Sequence, residues 1–510
     1  MFFKVVKNTT IVGLGTFISR LLGFLRDVLI ANYFGTSYLL EAFIVAFKIP
    51  NLMRSLLGEG FSDSVAVPVL SGYHRDKKEL FSIANNLFLI LAAVTFLISL
   101  GGMLSSRYLI VIVAPGFTRD PVQFSMAVSF LRVTFLYLFL IGLATTLKAL
   151  LYALKKFFLP AFSPCFLNIS LIVGVIFFRS MLGDFVLVIS VLIAGGLDLF
   201  LSLLYLRRYG FGLKIDYRKA VGDSVVVKMI KLFLPRIWSV IVYQINVIID
   251  TIFASLSWIV GQGAMAAVYY ANRVIQFPFA LVALSISRVA IVDFYRFHKD
   301  GNREDFKRLL VFSLRNIIFF IVPASIFLLF VHRSLLRMLF FRGEFGEYSL
   351  SLTSSALFFY SFGLIFFCGS NIFVNAFCSL QKPLFPAKAA TVSLIVNTGL
   401  NALFIYPLGV GGIALSSSIA SLVNFSLLYR RLEKEVGPIR WPRASGEIAK
   451  LIVIGVILGF IGRGILNWNM PALGKIFTTF FVISGLFFVL TLIFRLRQAT
   501  VVTDKIRDKL

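Results

Sequence analysis

Apolar runs of about twenty residues recur along the whole chain, separated by short segments that hold most of the Lys and Arg. A helix of that length crosses the hydrocarbon core of a bilayer, about 30 Å thick. The pattern predicts about fourteen spanning helices. They lie near residues 6–34, 39–70, 82–103, 124–153, 160–178, 184–206, 228–257, 264–293, 311–331, 349–379, 384–405, 410–430, 446–466 and 472–496. A transmembrane barrel would instead alternate apolar and polar positions in segments of about ten residues, and no such segments occur. The expected fold class is therefore an all-α polytopic membrane protein.

Composition agrees. Of 510 residues, 59% are hydrophobic and 14% charged, too few charges for a soluble chain of this length. The net charge of +27 could suggest nucleic acid, but the basic residues sit in loops and form no basic domain with interleaved aromatics. With the N-terminus inside, about 32 Lys/Arg fall on the cytoplasmic side and about 8 on the other. Both termini are thus expected in the cytoplasm. The N-terminal apolar run continues past Arg20 and Arg26 with no small-residue cleavage site, unlike a secretory signal.

An internal repeat is legible. Asp27 and Asp250, Tyr137 and Tyr360, Pro160 and Pro383, and the Ser-Leu-Ile-Val runs at 170 and 393 share one offset of about 223 residues. Lys48 falls close to Arg273 under the same shift. Six spans separate the copies, so both halves keep one orientation, and the ligand is expected between them. The expected organisation is an N-lobe over 1–210, a cytoplasmic linker over 211–228, a C-lobe over 229–431, and two extra helices with a tail over 432–510.

Charges inside the first two spans change the picture from bundle to transporter. Arg20, Arg26, Asp27, Glu41, Lys48 and Arg54 all lie there. Each costs at least about 2.5–3.5 kcal/mol at mid-bilayer, so such residues face protein or water. Arg20 and Asp27 are about two turns apart and are expected on one helix face. On a straight helix Arg26 lies well off the Arg20 face, and a bend at Gly23 would let both turn inward. With Arg273 from the second half, guanidinium exceeds carboxylate, and guanidinium forks match phosphate oxygens. A lipid diphosphate would suit such a cavity; mutual salt bridges that merely hold the bundle together are the plainer alternative.

A second constellation is made of oxygen donors. Asp250, with Asn246 a turn before it, Asn397, Asn401 and Ser417 form the kind of set a hard cation such as Na⁺ takes, or an ordinary interhelical hydrogen-bond set. His74, His298 and His332 have no metal-ligand spacing, and no nucleotide-phosphate loop is present, so no enzyme activity is expected. Cys165, Cys368 and Cys378 all fall in spans and are expected to pack rather than pair.

The chain resembles a known family, the MurJ (MviN) type lipid II flippases of the MOP exporter superfamily. The resemblance rests on Ser19-Arg20-Leu21-Leu22-Gly23-Phe24-Leu25-Arg26-Asp27, on the stretch from Ala42 to Arg54, and on Gly58-Glu59-Gly60-Phe61. Ala114-Pro115-Gly116-Phe117, Pro160-Ala161-Phe162-Ser163-Pro164, Leu167-Asn168-Ile169-Ser170 and Tyr269-Tyr270-Ala271-Asn272-Arg273 extend it over nearly the whole chain. It implies two six-helix lobes plus two helices forming a lipid groove, and export of the undecaprenyl-diphosphate-linked peptidoglycan precursor across the bacterial inner membrane by alternating access. It implies substrate-binding roles for Arg20, Arg26, Asp27, Arg54 and Arg273, with Glu41 standing where the family has aspartate. The Asp250, Asn397, Asn401 and Ser417 set resembles a cation site of some members, except that Asn401 replaces an acid. Arg288 is a departure from the family pattern. The expected protein is a monomer that takes a glycolipid partner. Its rivals are a flippase for polysaccharide-linked lipids, a drug or cation antiporter, and a membrane scaffold for cell-wall enzymes.

Overall fold

A computed structural model describes residues 2–214, 216–439, 444–494 and 496, and among them helix is the only regular secondary structure. The principal helices are α1 (Phe2–Phe34), α2 (Tyr38–Ser55), α3 (Lys77–Leu104), α4 (Pro121–Ala153) and α5 (Phe158–Val173). Then follow α6 (Val186–Arg207), α7 (Ser224–Ala254), α8 (Ala264–Pro278), α9 (Ser285–Lys299) and α10 (Arg303–Phe340). The last are α11 (Glu347–Ser379), α12 (Leu384–Leu408), α13 (Val410–Val436), α14 (Ala444–Asn467) and α15 (Ala472–Ile493). Each predicted span falls on one of these helices or on a helix with a π-type extension, as after α2, α5 and α8. By length and composition, nine stretches among the described residues are apolar enough to cross a membrane, short of the fourteen expected. α1 and α2, which carry the six charges of the first two expected spans, are not among the nine. Phe158–Arg207 counts once although it holds two predicted spans.

The chain divides into two compact units, Met1–Leu256 and Ser257–Leu510. The boundary falls after α7, which packs with the first unit's π-helical stretch Leu56–Ala66. In the first unit α4 is central and packs against α2, α3 and α6, while α1 lies on α5. In the second, α11 packs against α8, α10 and α13, α12 lies on α13, and α14 joins α10 to α15.

The repeat is visible in helix starts, at a slightly different register from the sequence matches. Tyr38 and Ala264, Lys77 and Arg303, Pro121 and Glu347, and Phe158 and Leu384 each open a helix, and each pair is 226 residues apart. The side-chain matches at about 223 are therefore displaced by about one helical turn. The turns after α4 and α11 are alike in detail. Lys155 and Gln381 adopt positive φ (59° and 58°). Lys156 N–H donates to the Leu151 carbonyl at 2.8 Å, and Lys382 N–H to the Phe377 carbonyl at 3.0 Å. This is the left-handed closure that satisfies the last carbonyls of a helix.

Cys165 and Cys368 are buried as expected, whereas Cys378 is exposed, and all three are free thiols. Cys378 lies on the outward face of α11, which periodicity along an almost wholly apolar helix cannot single out.

Candidate functional site

Several of the first unit's charges find partners on other helices, and Arg26 and Arg54 also find them on their own. Arg26 and Asp27 are both buried, at 8% and 2% exposure. Arg26 donates through Nε (3.0 Å) and Nη2 (2.7 Å) to one oxygen of Asp27, and through Nη1 to Asn168 Oδ1 on α5 at 2.9 Å. Asn168 then donates from Nδ2 to the Ser19 carbonyl at 2.9 Å, returning to α1. α1 can lie this close to α5 because glycine faces it. A Cβ at Gly15 would meet the Ala161 carbonyl oxygen at 2.6 Å, and one at Gly23 would touch Asn168 at 3.7 Å. α1 is one continuous helix through Gly23, where the glycine makes room for a neighbour. Arg20 is exposed whereas Asp27 is buried, so the two do not share an environment.

On α2, Glu41 is 2% exposed and accepts from Gln123 Nε2 of α4 at 3.1 Å. Pro50 lies inside this helix and has no N–H, which deprives the Ala46 carbonyl of its helical donor. Thr134 of α4 fills the gap, its hydroxyl donating to that carbonyl at 2.9 Å. In a lipid environment such a freed carbonyl must find a protein donor. One turn beyond Pro50, Arg54 donates from Nε to Asn51 Oδ1 at 2.9 Å and lies within electrostatic reach of buried Tyr137. Lys48 donates to Thr251 Oγ1 and to the Val247 carbonyl (3.4 Å) on α7, with Asp250 as an electrostatic neighbour.

One cluster escaped the sequence reading. Lys148 of α4 donates to Asp198 Oδ2 of α6 at 2.7 Å and to Ser163 Oγ of α5 at 2.8 Å, and Ser163 Oγ donates to the same Asp198 oxygen at 2.8 Å. Asp198 is 2% exposed. The signal that exposed the first two spans, a charge inside an apolar run, was present at both positions. Asn168 and Gln123 gave no such signal, being neutral.

In the second unit, Arg273 of α8 lies over the Tyr269 ring at 4.9 Å. It donates to the Tyr269 hydroxyl at 3.1 Å and to Gln276 Oε1 at 3.4 Å. Arg288 is exposed on α9. Asn397 and Asn401 are fully buried one turn apart on α12, and Ser417 is buried on α13, which packs against it. Asp250 belongs to the first unit, where the Lys48 ammonium already supplies a positive charge beside it. The Asn246 side chain lies outside the described residues. Among the described residues no group of three or more His, Cys, Asp or Glu is placed to hold a metal ion.

The first unit can thus present guanidinium and ammonium groups whose counter-charges come from the same bundle, a chemistry suited to anionic groups. Comparison with known proteins gives this chemistry a context. Residues 30–488 match the family model described as lipid II flippase MurJ. A probable lipid II flippase MurJ of Buchnera aphidicola subsp. Acyrthosiphon pisum is 35% identical over 434 residues, 84% of each chain. The lipid II flippase MurJ of Burkholderia cenocepacia is 29% identical, over 82% of each. Among solved structures, a lipid II flippase MurJ in an inward closed conformation matches at a TM-score of 0.79 with 24% identity, covering 95% of this chain and 97% of that one. An inward-facing MATE family multidrug transporter of the MOP superfamily matches at 0.68 with 12% identity, over 82% of this chain and 94% of that one.

Proposed function

The chain belongs to the lipid II flippase MurJ family, and from that premise we propose that its buried arginines bind the diphosphate of lipid II during export across the membrane. The protein is a multi-pass membrane transporter of the lipid-linked peptidoglycan precursor. The observation that carries the residue-level reading is the state of Arg26. Each of its three guanidinium nitrogens already donates a hydrogen bond, to Asp27 or Asn168, inside the first unit.

In this reading Asp27 is a built-in surrogate for the substrate. It neutralises Arg26 while the site is empty, at the cost of burying two charges that a membrane-embedded bundle cannot leave unpaired. A diphosphate offers more oxygens and more charge than one carboxylate, and a guanidinium binds phosphate with the same forked geometry. Exchange of Asp27 for diphosphate keeps Arg26 neutralised, and the released Asp27 carboxylate then has to take a proton or pair with another cation. Glu41, held by Gln123, limits repulsion among the remaining cations Arg20, Lys48 and Arg54. Arg273, stacked on Tyr269, is the second unit's proposed phosphate ligand.

Export proceeds by alternating access from the cytoplasmic to the outer leaflet of the inner membrane, with both termini cytoplasmic and the chain acting as a monomer. One charge moved through 100 mV changes the energy by about 2.3 kcal/mol, so membrane potential is enough to bias the cycle. The test is a flipping assay on purified protein in liposomes loaded with lipid II. Arg26→Ala and Arg273→Ala should each cut the rate at least about tenfold, or about 1.4 kcal/mol of barrier, with insertion unchanged. Wild-type flipping by both variants would remove the arginines from the mechanism.

A further inference from the structure

α10 and α14 lie side by side with polar contacts at both ends. Arg315 of α10 is ion-paired with Glu447 of α14, and further along Ser334 Oγ donates to Asn467 Oδ1 at 3.0 Å. About 19–20 residues separate the two contacts on each helix, a rise of about 29 Å that matches one hydrocarbon thickness. That spacing fits contacts at opposite faces of a bilayer. Between them the helices meet at small residues: a Cβ at Gly455 would come within 2.8 Å of Ile326, and one at Gly459 within 2.7 Å of Phe330.

At the Ser334–Asn467 end the helices open into a cleft of about 570 Å³. Its polar wall carries Arg333, Arg337, Arg463 and His332, and its apolar wall carries Phe330 and Phe358. Glu347 is ion-paired with both Arg333 and Arg337, so one carboxylate offsets two guanidiniums. Arg463 is exposed on α14 and enters no ion pair among the described residues. The cleft thus keeps an excess of guanidinium beside aromatic rings. That combination suits an anion whose own chain continues into the hydrocarbon, and is wasteful for a free ion.

We propose that this cleft binds the phosphate of a lipid, at the membrane face opposite the Arg315–Glu447 pair. The lipid is either a bilayer phospholipid or a polyprenyl diphosphate; only the second identity rests on the flippase reading above. Arg463 supplies the uncommitted guanidinium, Arg333 and Arg337 share theirs with Glu347, and the Phe330–Phe358 wall takes the first part of the chain.

The full chain, in nanodiscs of phosphatidylcholine, is titrated with phosphatidylglycerol, undecaprenyl diphosphate and inorganic phosphate, with bound lipid read by native mass spectrometry. Arg463→Gln should weaken at least one lipid about tenfold, and Arg26→Ala should leave phosphatidylglycerol binding unchanged. The thermal midpoint of Arg463→Gln should match wild type, since its side chain is exposed. Loss confined to undecaprenyl diphosphate assigns the cleft to the transported lipid's phosphates; loss of phosphatidylglycerol binding assigns it to the bilayer. Unchanged lipid binding in both Arg463→Gln and the Arg333→Gln/Arg337→Gln double variant overturns the proposal, as does inorganic phosphate competing as well as the lipids. Normal flipping by Arg26→Ala would sink the reading of the α1 site and leave this one standing.

Discussion

Asn168 stands between two parts of the same helix: its Oδ1 accepts from Arg26 Nη1 at 2.9 Å, and its Nδ2 donates to the Ser19 carbonyl at 2.9 Å. One neutral amide on α5 therefore fixes the guanidinium that α1 carries and clamps α1 to its neighbour. Asn168→Leu removes a hydrogen bond to a charged group, worth about 1.5–3 kcal/mol. The thermal midpoint should fall and lipid II flipping should slow; a midpoint unchanged from wild type would show that the amide carries no weight.

Asp27→Asn leaves Arg26 without its counter-charge, and breaking such a buried pair costs about 3–5 kcal/mol. If the diphosphate takes the place of Asp27, lipid II should restore more of the thermal midpoint in the variant than it adds to wild type. Equal stabilisation by lipid II in both proteins would rule out the exchange.

Thr134→Val strips the Ala46 carbonyl of its donor, an orphan that costs about 1–3 kcal/mol. Pro50→Ala supplies the missing N–H, so the loss should largely vanish in the Pro50→Ala/Thr134→Val double variant. Purely additive effects, read by thermal unfolding of the four proteins of the cycle, would mean that Thr134 and Pro50 are independent.

The Lys148–Asp198 pair should behave as a unit. Lys148→Met leaves the buried Asp198 carboxylate unpaired, at about 3–5 kcal/mol, and Asp198→Leu leaves the half-buried Lys148 ammonium at a smaller cost, whereas the double variant replaces both by apolar groups and should be close to neutral. A double variant at least as unstable as the worse single would instead assign the pair a role beyond mutual neutralisation.

Gly459→Leu places a side chain where Phe330 already lies within 2.7 Å of a Cβ. Overpacking of this kind costs about 1–3 kcal/mol. Crosslinking between cysteines placed at Ser334 and Asn467, which touch in the native pair, should drop in the variant. Retained crosslinking would show that α10 and α14 do not depend on the glycine.

What the sequence decided is what depends on neighbours in the chain. Twenty apolar residues form a membrane helix wherever they occur, so the position of nearly every helix could be read off before any contact was known. The desolvation cost of charge singled out Arg26, Asp27, Glu41 and Lys48 on the same local ground, and applied to α4 and α6 it would have singled out Lys148 and Asp198 as well. Only the tertiary structure decided the partners. Asn168 for Arg26, Gln123 for Glu41, Thr251 for Lys48 and Thr134 for the carbonyl freed by Pro50 each come from another helix. Which faces of two almost uniformly apolar helices meet is settled by shape, as at Gly15 against Ala161 and Gly459 against Phe330, and hydropathy does not encode shape. The repeat shows the same limit: side-chain identities matched at one offset, while the helix starts match about a turn away.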